Sequence, residues 1–167
     1  MGNRAVVCFD KFKPTRIAIY LHWNGGRDSI EAFLKATRIL MGDRLGDESY
    51  AQARFIQVIG TAMVGNLSFG IGTCKQYGKD QDNGVYVIDS ETMTIKDRIF
   101  SDWYEEEGET FHEQMEHNLN EFTNNIIKLV NASYIEDNAD PEVTYKQKLL
   151  PTAEEYDAQE AEIAASK

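Results

Sequence analysis

The sequence predicts an α+β fold: a single domain with a largely antiparallel sheet, element order ββααβββα, and helices packed mainly on one face. Three observations predict it. Short β-branched runs and stretches of helical periodicity follow one another in a mixed order, without the regular strand–helix alternation of a parallel sheet. Neighbouring strands are joined by hairpin signals. The 167 residues, 42 % hydrophobic and 27 % charged, suit one domain with a real core, and eight Phe, eight Tyr and two Trp argue against wholesale disorder.

The elements follow in order. Arg4–Phe9 is short and apolar, a strand; Lys11–Thr15 holds Pro14 and turns; Arg16–Trp23 is a second strand forming a hairpin with the first. Asn24-Gly25-Gly26 breaks it. Asp28 then reads as an N-cap with Glu31 completing an Asp variant of the capping box. Ile30, Phe33, Leu34, Thr37, Leu40 and Met41 recur at helical spacing, and Gly42 and Gly46 bracket the end. A second helix runs from Ser49 to Val64 on Phe55, Ile56, Ile59, Ala62 and Met63. Leu67–Cys74 alternates large and small residues as a strand, its glycines implying a bulge or close approach of another backbone. Gln76–Gly84 is a polar loop. Val85–Ile88 and Met93–Ile95 flank Asp89-Ser90-Glu91-Thr92 as a hairpin, the second strand continuing to Tyr104. The longest helix spans Thr110–Tyr134 on Phe111, Met115, Leu119, Phe122, Ile126, Leu129 and Val130. Asn138–Pro151 is extended or irregular, which closes the domain at about residue 150. Thr152 with Glu155 opens a short, marginally ordered acidic helix over the remaining residues, 151–167.

Charge is unevenly placed. Residues 1–100 carry 13 Lys and Arg against 11 Asp and Glu, whereas residues 101–167 carry four against 17. The acidic third opposes direct nucleic-acid binding and favours a basic partner or a solubilising face. No apolar run reaches the roughly 20 residues a bilayer span needs, and the N-terminal stretch has neither a signal-peptide core nor a myristoylation motif, because Val6 stands where Ser or Thr is wanted. Cys8 and Cys74 read as two buried thiols. A cytoplasmic protein is expected.

The segment from Leu21 to Ser29 is the best candidate for chemistry. A strand ending in two glycines before a helix exposes backbone N–H groups at the positive end of the helix dipole. A phosphate or carboxylate could sit there, with Gly25 and Gly26 giving backbone access and Arg27 a bidentate donor, while His22, Trp23 and Asn24 hold a base or sugar. Against it, neither the G-x-x-x-x-G-K-[ST] nor the three-glycine dinucleotide pattern is present, and Asp28 would compete with the anion. The competing reading is a tight strand–helix turn with Trp23 in the core.

Other motifs carry less. His112 and His117 lie at i and i+5, roughly 140° apart around a helix, so they do not present the paired imidazoles of a metal helix. Ser29 or Ser68 with His22 and Asp28 can be written as a triad, but no G-x-S-x-G elbow supports it. No catalytic residue, metal or cofactor is assigned. Glu105, Glu106, Glu107, Glu109, Glu113, Glu116 and Glu121, extended by Glu136, Asp137 and Asp140, could form a row imitating duplex phosphates, spaced at roughly one charge per 1.7 Å of axis. Gln114, Asn118 and Asn120 interrupt that row, which favours the competing reading of an acidic solvated face that keeps the protein monomeric.

Gly2-Asn3-Arg4-Ala5-Val6-Val7, Ile19-Tyr20-Leu21-His22-Trp23-Asn24-Gly25-Gly26 and Asp82-Asn83-Gly84-Val85-Tyr86-Val87-Ile88 together resemble a family of small uncharacterised proteins encoded by phages and prophages. The resemblance covers roughly residues 2–90, is most specific at His-Trp-Asn-Gly-Gly, and excludes the acidic third. It implies genomic context rather than catalysis, and with it a counter-defence role by binding. Two expectations result: a non-enzymatic inhibitor of anti-CRISPR or anti-restriction type whose acidic surface meets a basic nucleic-acid-binding host protein, or a small-ligand protein that binds a nucleotide or other anion at His22–Asp28. A metal-dependent enzyme is the third class, tested by elemental analysis.

Overall fold

The computed structural model describes residues 3–63, 68–101 and 119–166. Strands β1 (Ala5–Phe9), β2 (Ile17–Leu21), β3 (Phe69–Thr73), β4 (Val85–Asp89) and β5 (Thr94–Ile99) form one sheet in the order β3-β2-β1-β4-β5. Among the described residues the α-helices are α1 (Arg27–Met41), α2 (Glu48–Ala62), the single turn α3 (Cys74–Tyr77), α4 (Leu119–Ala139) and α5 (Ala153–Ala165). The fold is α+β as expected, and three of the four strand pairings are antiparallel. The exception is β1 with β4, which run parallel in the register Val7↔Tyr86.

The central strand β1 is apolar at all five positions because both its faces are covered. Ala5, Val7 and Phe9 face α1, α2 and α4 in the main core, whereas Val6 and Cys8 face a smaller cluster with Ala18, Cys74, Val85 and Val87. In the main core Phe9 meets Phe55 edge-on at 5.8 Å, and Phe33 of α1 meets Phe122 of α4 at the same distance. Such pairs add about 0.5–1.5 kcal/mol to the burial of each ring. α1 lies between the sheet and the other helices, so Ala32, Ala36 and Ile39 are buried along with Ile30, Phe33, Leu34 and Thr37. One amphipathic stripe underestimates a helix covered on several sides.

Local chemistry moves several boundaries. α1 starts at Arg27 with Gly26 as its N-cap, and no side chain caps it. The expected Asp28–Glu31 box does not form: the Asp28 carboxylate accepts from the Ser29 N–H at 2.8 Å, and Glu31 faces Arg27. The start is set two residues earlier because the Gly25 N–H donates to the Asn3 carbonyl at 2.8 Å, pinning the chain before it turns. β5 begins at Thr94, since Met93 takes a left-handed φ of 52° to bring its side chain into the core. Cys74–Tyr77, expected partly as loop, is helical and is capped by Thr73. The Thr152–Glu155 capping box forms in full and starts α5. β5 ends at Ile99, short of the expected Tyr104, since Phe100 and Ser101 are no longer paired to β4; residues 102–104 and the N-terminal part of the expected long helix lie outside the described residues. Among the described residues no helix is long and apolar enough to cross a membrane.

Candidate functional site

The register places the end of β2, the starts of β1 and β4 and the end of β5 at one end of the sheet. The chain leaves β2 there and enters α1, so the His-Trp-Asn-Gly-Gly turn stands over that end. His22, Trp23 and Asn24 are exposed, Trp23 by 46 %, which places the indole outside the core. His22 is held by its N–H to the Ser68 carbonyl at 2.7 Å and by Nδ1 lying 3.0 Å from the Tyr20 hydroxyl. Its ring meets Trp23 edge-on at 5.1 Å, and Tyr20 in turn stacks on Tyr77 at 5.4 Å.

The glycines of β3 make this aromatic row possible. A Cβ at Gly70 would stand 3.0 Å from the Tyr77 hydroxyl, and one at Gly72 2.9 Å from the Tyr77 ring. The register of β2 with β3 runs without a bulge from Ile17↔Thr73 to Leu21↔Phe69. The alternation in Phe69-Gly70-Ile71-Gly72 thus clears space for side chains, where the sequence pointed to a bulge or a backbone.

The two glycines of the turn do different things. A Cβ on Gly25 would lie 2.6 Å from the Asn3 carbonyl oxygen and 2.7 Å from the Ala5 Cβ, so this position is closed by backbone. A Cβ on Gly26 would meet only the Asp28 carboxylate at 2.8 Å and the end of Asn3 beyond 3.4 Å. Arg27 is exposed, and its Nε lies 3.8 Å from Glu31, along its own helix. The structure therefore brings His22 and Trp23 together, leaves Asn24 exposed at a φ of 55°, uses Gly25 for chain packing, and pairs Arg27 with Glu31.

Beneath the first turn of α1 lies a polar group that the sequence reading missed. Arg98 stands opposite Tyr86 in the β4–β5 register. Its guanidinium sits 4.7 Å from the Tyr86 ring centroid and 4.5 Å from that of Phe100, and its Nε donates to the Asn83 carbonyl at 3.2 Å. The Tyr86 hydroxyl, Arg98 Nη2, Ser101 Oγ and Asn83 Oδ1 are buried without a hydrogen-bond partner. Burial pushes the Tyr86 phenol up to about 12, and burial together with Arg27 lowers Arg98. The legible signal was an arginine in a strand (Thr94-Ile95-Lys96-Asp97-Arg98-Ile99) at the same parity as a core tyrosine in its hairpin partner. Asn83 also donates to the side-chain oxygen of Asn3, and Asp82 holds Arg4 by two side-chain hydrogen bonds at 2.6 and 2.9 Å. Asn3 and Arg4, bonded to Asn83 and Asp82, thus join the start of β1 to the start of β4.

Of the acidic row, Glu105, Glu106, Glu107, Glu109, Glu113 and Glu116 lie outside the described residues, as do His112 and His117. Glu121, Glu136 and Asp137 are exposed on α4, and Asp140 and Glu142 are exposed just beyond it. On α5, Glu154, Glu155, Asp157, Glu160 and Glu162 are exposed as well. Among them stand the exposed apolar side chains of Leu129, Ile135, Tyr145, Leu149 and Ile163.

This surface is organised by asparagines seven residues apart. Asn138 pairs both ends of its amide with the backbone of Gln147 (2.7 and 2.8 Å), and Asn131 does the same with Leu150 (2.8 and 3.0 Å). Asn124 accepts from the Ala153 N–H at 2.7 Å and donates to Glu154. Two helical turns rise about 10.5 Å per seven residues, and three residues of extended chain cover about the same length, so each amide meets an equivalent peptide group. The returning segment is thereby strapped antiparallel along α4. Lys35 of α1, buried, anchors the far end by donating to Asn120 at 2.8 Å and to Asp157 at 2.7 Å.

Cys8 and Cys74 are free and buried on the second face of the sheet. Burial, reinforced by the neighbouring Cys74, pushes the Cys8 thiol up to about 12, where it is not a nucleophile at neutral pH.

Comparison with protein-family models, curated proteins and solved structures finds no match to this chain.

Proposed function

We propose that this protein is a non-enzymatic binding protein whose C-terminal helical layer engages a basic, nucleic-acid-binding host protein, as a phage-encoded counter-defence inhibitor of anti-CRISPR or anti-restriction type does. The observation that carries the reading is the surface of α4, the strap and α5, which presents exposed carboxylates together with exposed Ile135, Tyr145, Leu149 and Ile163. Apolar anchors on a surface where exposed carboxylates outnumber the exposed lysines Lys128, Lys146 and Lys148 give an interface both contact area and steering: the anchors supply affinity and the net negative charge raises the association rate with a positive groove. The resemblance of residues 2–90 to phage-encoded proteins supplies the biological setting.

The test is binding to purified CRISPR effectors and restriction enzymes, with nucleic acid as competitor, between about 50 and 500 mM salt. Affinity is expected to fall steeply with salt, and reversing Glu136, Asp137 and Glu160 to lysine is expected to abolish it. Binding that ignores both salt and charge reversal refutes the charged mechanism. A separate small-ligand reading of the His22–Asp28 turn keeps one supporting observation, the exposed His22–Trp23 pair beside a helix N-terminus that no side chain caps. Nucleotides that stabilise the wild type but not Arg27→Ala support it; equal responses refute it.

A further inference from the structure

We infer that the inner end of the β4–β5 hairpin, beneath the first turn of α1, is a binding site for a small oxyanion, held by the Arg98 guanidinium and the Tyr86 hydroxyl. The inference is independent of the acidic surface and places the ligand behind the exposed turn, with Arg98 rather than Arg27 as its cation.

Two independent observations meet here. Tyr86 is fully buried and its hydroxyl has no partner, and Arg98 Nη2, also buried, has none. Buried hydroxyl and guanidinium groups are almost always hydrogen-bonded, because losing water without a replacement is costly. The second observation is the absence of a counter-charge. Among the described residues Arg98 makes no ion pair; its contacts are the faces of Tyr86 and Phe100 and one backbone carbonyl. The acids of the adjoining helical turn are engaged elsewhere, Asp28 on the Ser29 N–H and Glu31 with Arg27. A half-buried cation with a buried, unpartnered Nη2 and no anion among the described residues is suited to receive one, and a planar guanidinium held between two rings is oriented for two-pronged contact with carboxylate or phosphate oxygens.

Topology brings the helix into the same place. β4 starts and β5 ends where α1 starts, and Arg38 near the other end of α1 donates to the Met93 carbonyl at the opposite end of β5. α1 therefore lies along β5 with its N-terminus at the Arg98 end. That N-terminus has no side-chain cap, and its dipole favours negative charge. The Tyr86 hydroxyl can donate to the same oxyanion, which accounts for a phenol in a position otherwise filled by core residues.

The experiment is thermal unfolding of the full chain titrated with inorganic phosphate or acetate, with sodium chloride at matched ionic strength as control. Wild type, Tyr86→Phe, Arg98→Met and Arg27→Ala are compared. Wild type is expected to show a saturable rise in Tm, about 5–10 °C at 100 times the dissociation constant. The phosphate and acetate arms decide whether the site takes a phosphate or a carboxylate. Tyr86→Phe is expected to unfold no lower than wild type without anion, because the hydroxyl it loses has no protein partner, and to bind at least tenfold more weakly. Arg98→Met is expected to lose the response, and Arg27→Ala to keep it. Should Arg98→Met fail to fold, Tyr86→Phe still decides. A response no larger than that to chloride, or one that Tyr86→Phe leaves intact, overturns the proposal and assigns the orphaned atoms to buried water.

Discussion

Replacing Gly25 and Gly26 by alanine, one at a time, separates a glycine the fold requires from one it tolerates. At Gly25 the new Cβ would lie 2.6 Å from the Asn3 carbonyl oxygen, 2.7 Å from the Ala5 Cβ and 2.8 Å from the Ala5 nitrogen. None of these is the end of a flexible side chain, so β1 or the turn must move. Overpacking of this kind costs about 1–3 kcal/mol. Movement also breaks the Gly25 N–H to Asn3 bond, about 1 kcal/mol more. The reduced freedom of the unfolded chain returns about 0.4–1 kcal/mol, leaving Gly25→Ala destabilised by about 1–3.5 kcal/mol. At Gly26 the obstacle is the Asp28 carboxylate, which can rotate away at the expense of its bond to Ser29. That loss of about 1 kcal/mol is nearly offset by the same unfolded-state gain. Thermal denaturation by circular dichroism is therefore expected to show Tm lowered by about 2–14 °C for Gly25→Ala and by less than about 3 °C for Gly26→Ala. Equal Tm values for the two variants would refute the assignment of the His-Trp-Asn-Gly-Gly signature to chain packing.

Asn131→Ala removes both bonds to Leu150 and is expected to cost about 1–2 kcal/mol and to speed proteolysis within residues 140–152, whereas Asn125→Ala, on an exposed position of the same helix, should do neither. Asp157→Ala leaves the buried Lys35 with only Asn120 and is expected to destabilise by about 1–2 kcal/mol, measured by urea unfolding; a neutral result would show that α5 contributes nothing to the body. Asp82 is held below its usual 3.8, first by the side-chain hydrogen bond from Arg4, so its folded pKa is depressed. Its stabilisation is thus present above 3.8 and lost as pH falls through the lower folded value, and Asp82→Asn should flatten the stability profile on the acid side of pH 4. Cys8 and Cys74 should resist alkylation at pH 8 in the native protein and react fully in denaturant; fast native labelling of Cys8 would contradict its burial.

Much of the fold was legible because it rests on local signals. The apolar run of β1, the hairpin around Asp89–Thr92 and the Thr152 capping box each needed only a few neighbouring residues. Where the expectations missed, the cause was non-local. Asp28 is a good N-cap by composition, but the carbonyl of Asn3 caught Gly25 first. The glycines of β3 read as backbone devices because their occupant, Tyr77, comes from the following helical turn. Among the expected ligand residues Arg27 stands next to the glycines, yet the cation with a buried nitrogen left without a partner among the described residues is Arg98, 71 positions further along the chain.

The sequence by itself determined the class of fold, the identity of most strands and helices, and the concentration of negative charge beyond residue 100. These follow from composition and periodicity, which act over a turn of helix or a pair of residues. Tertiary structure alone decided that β1 and β4 run parallel, that Asn124, Asn131 and Asn138 strap the returning chain to α4, and that the half-buried Arg98 packs on the buried Tyr86 beneath α1. Each depends on which distant segments share space. Burial and hydrogen-bond satisfaction are properties of that shared space, and no window of sequence contains them.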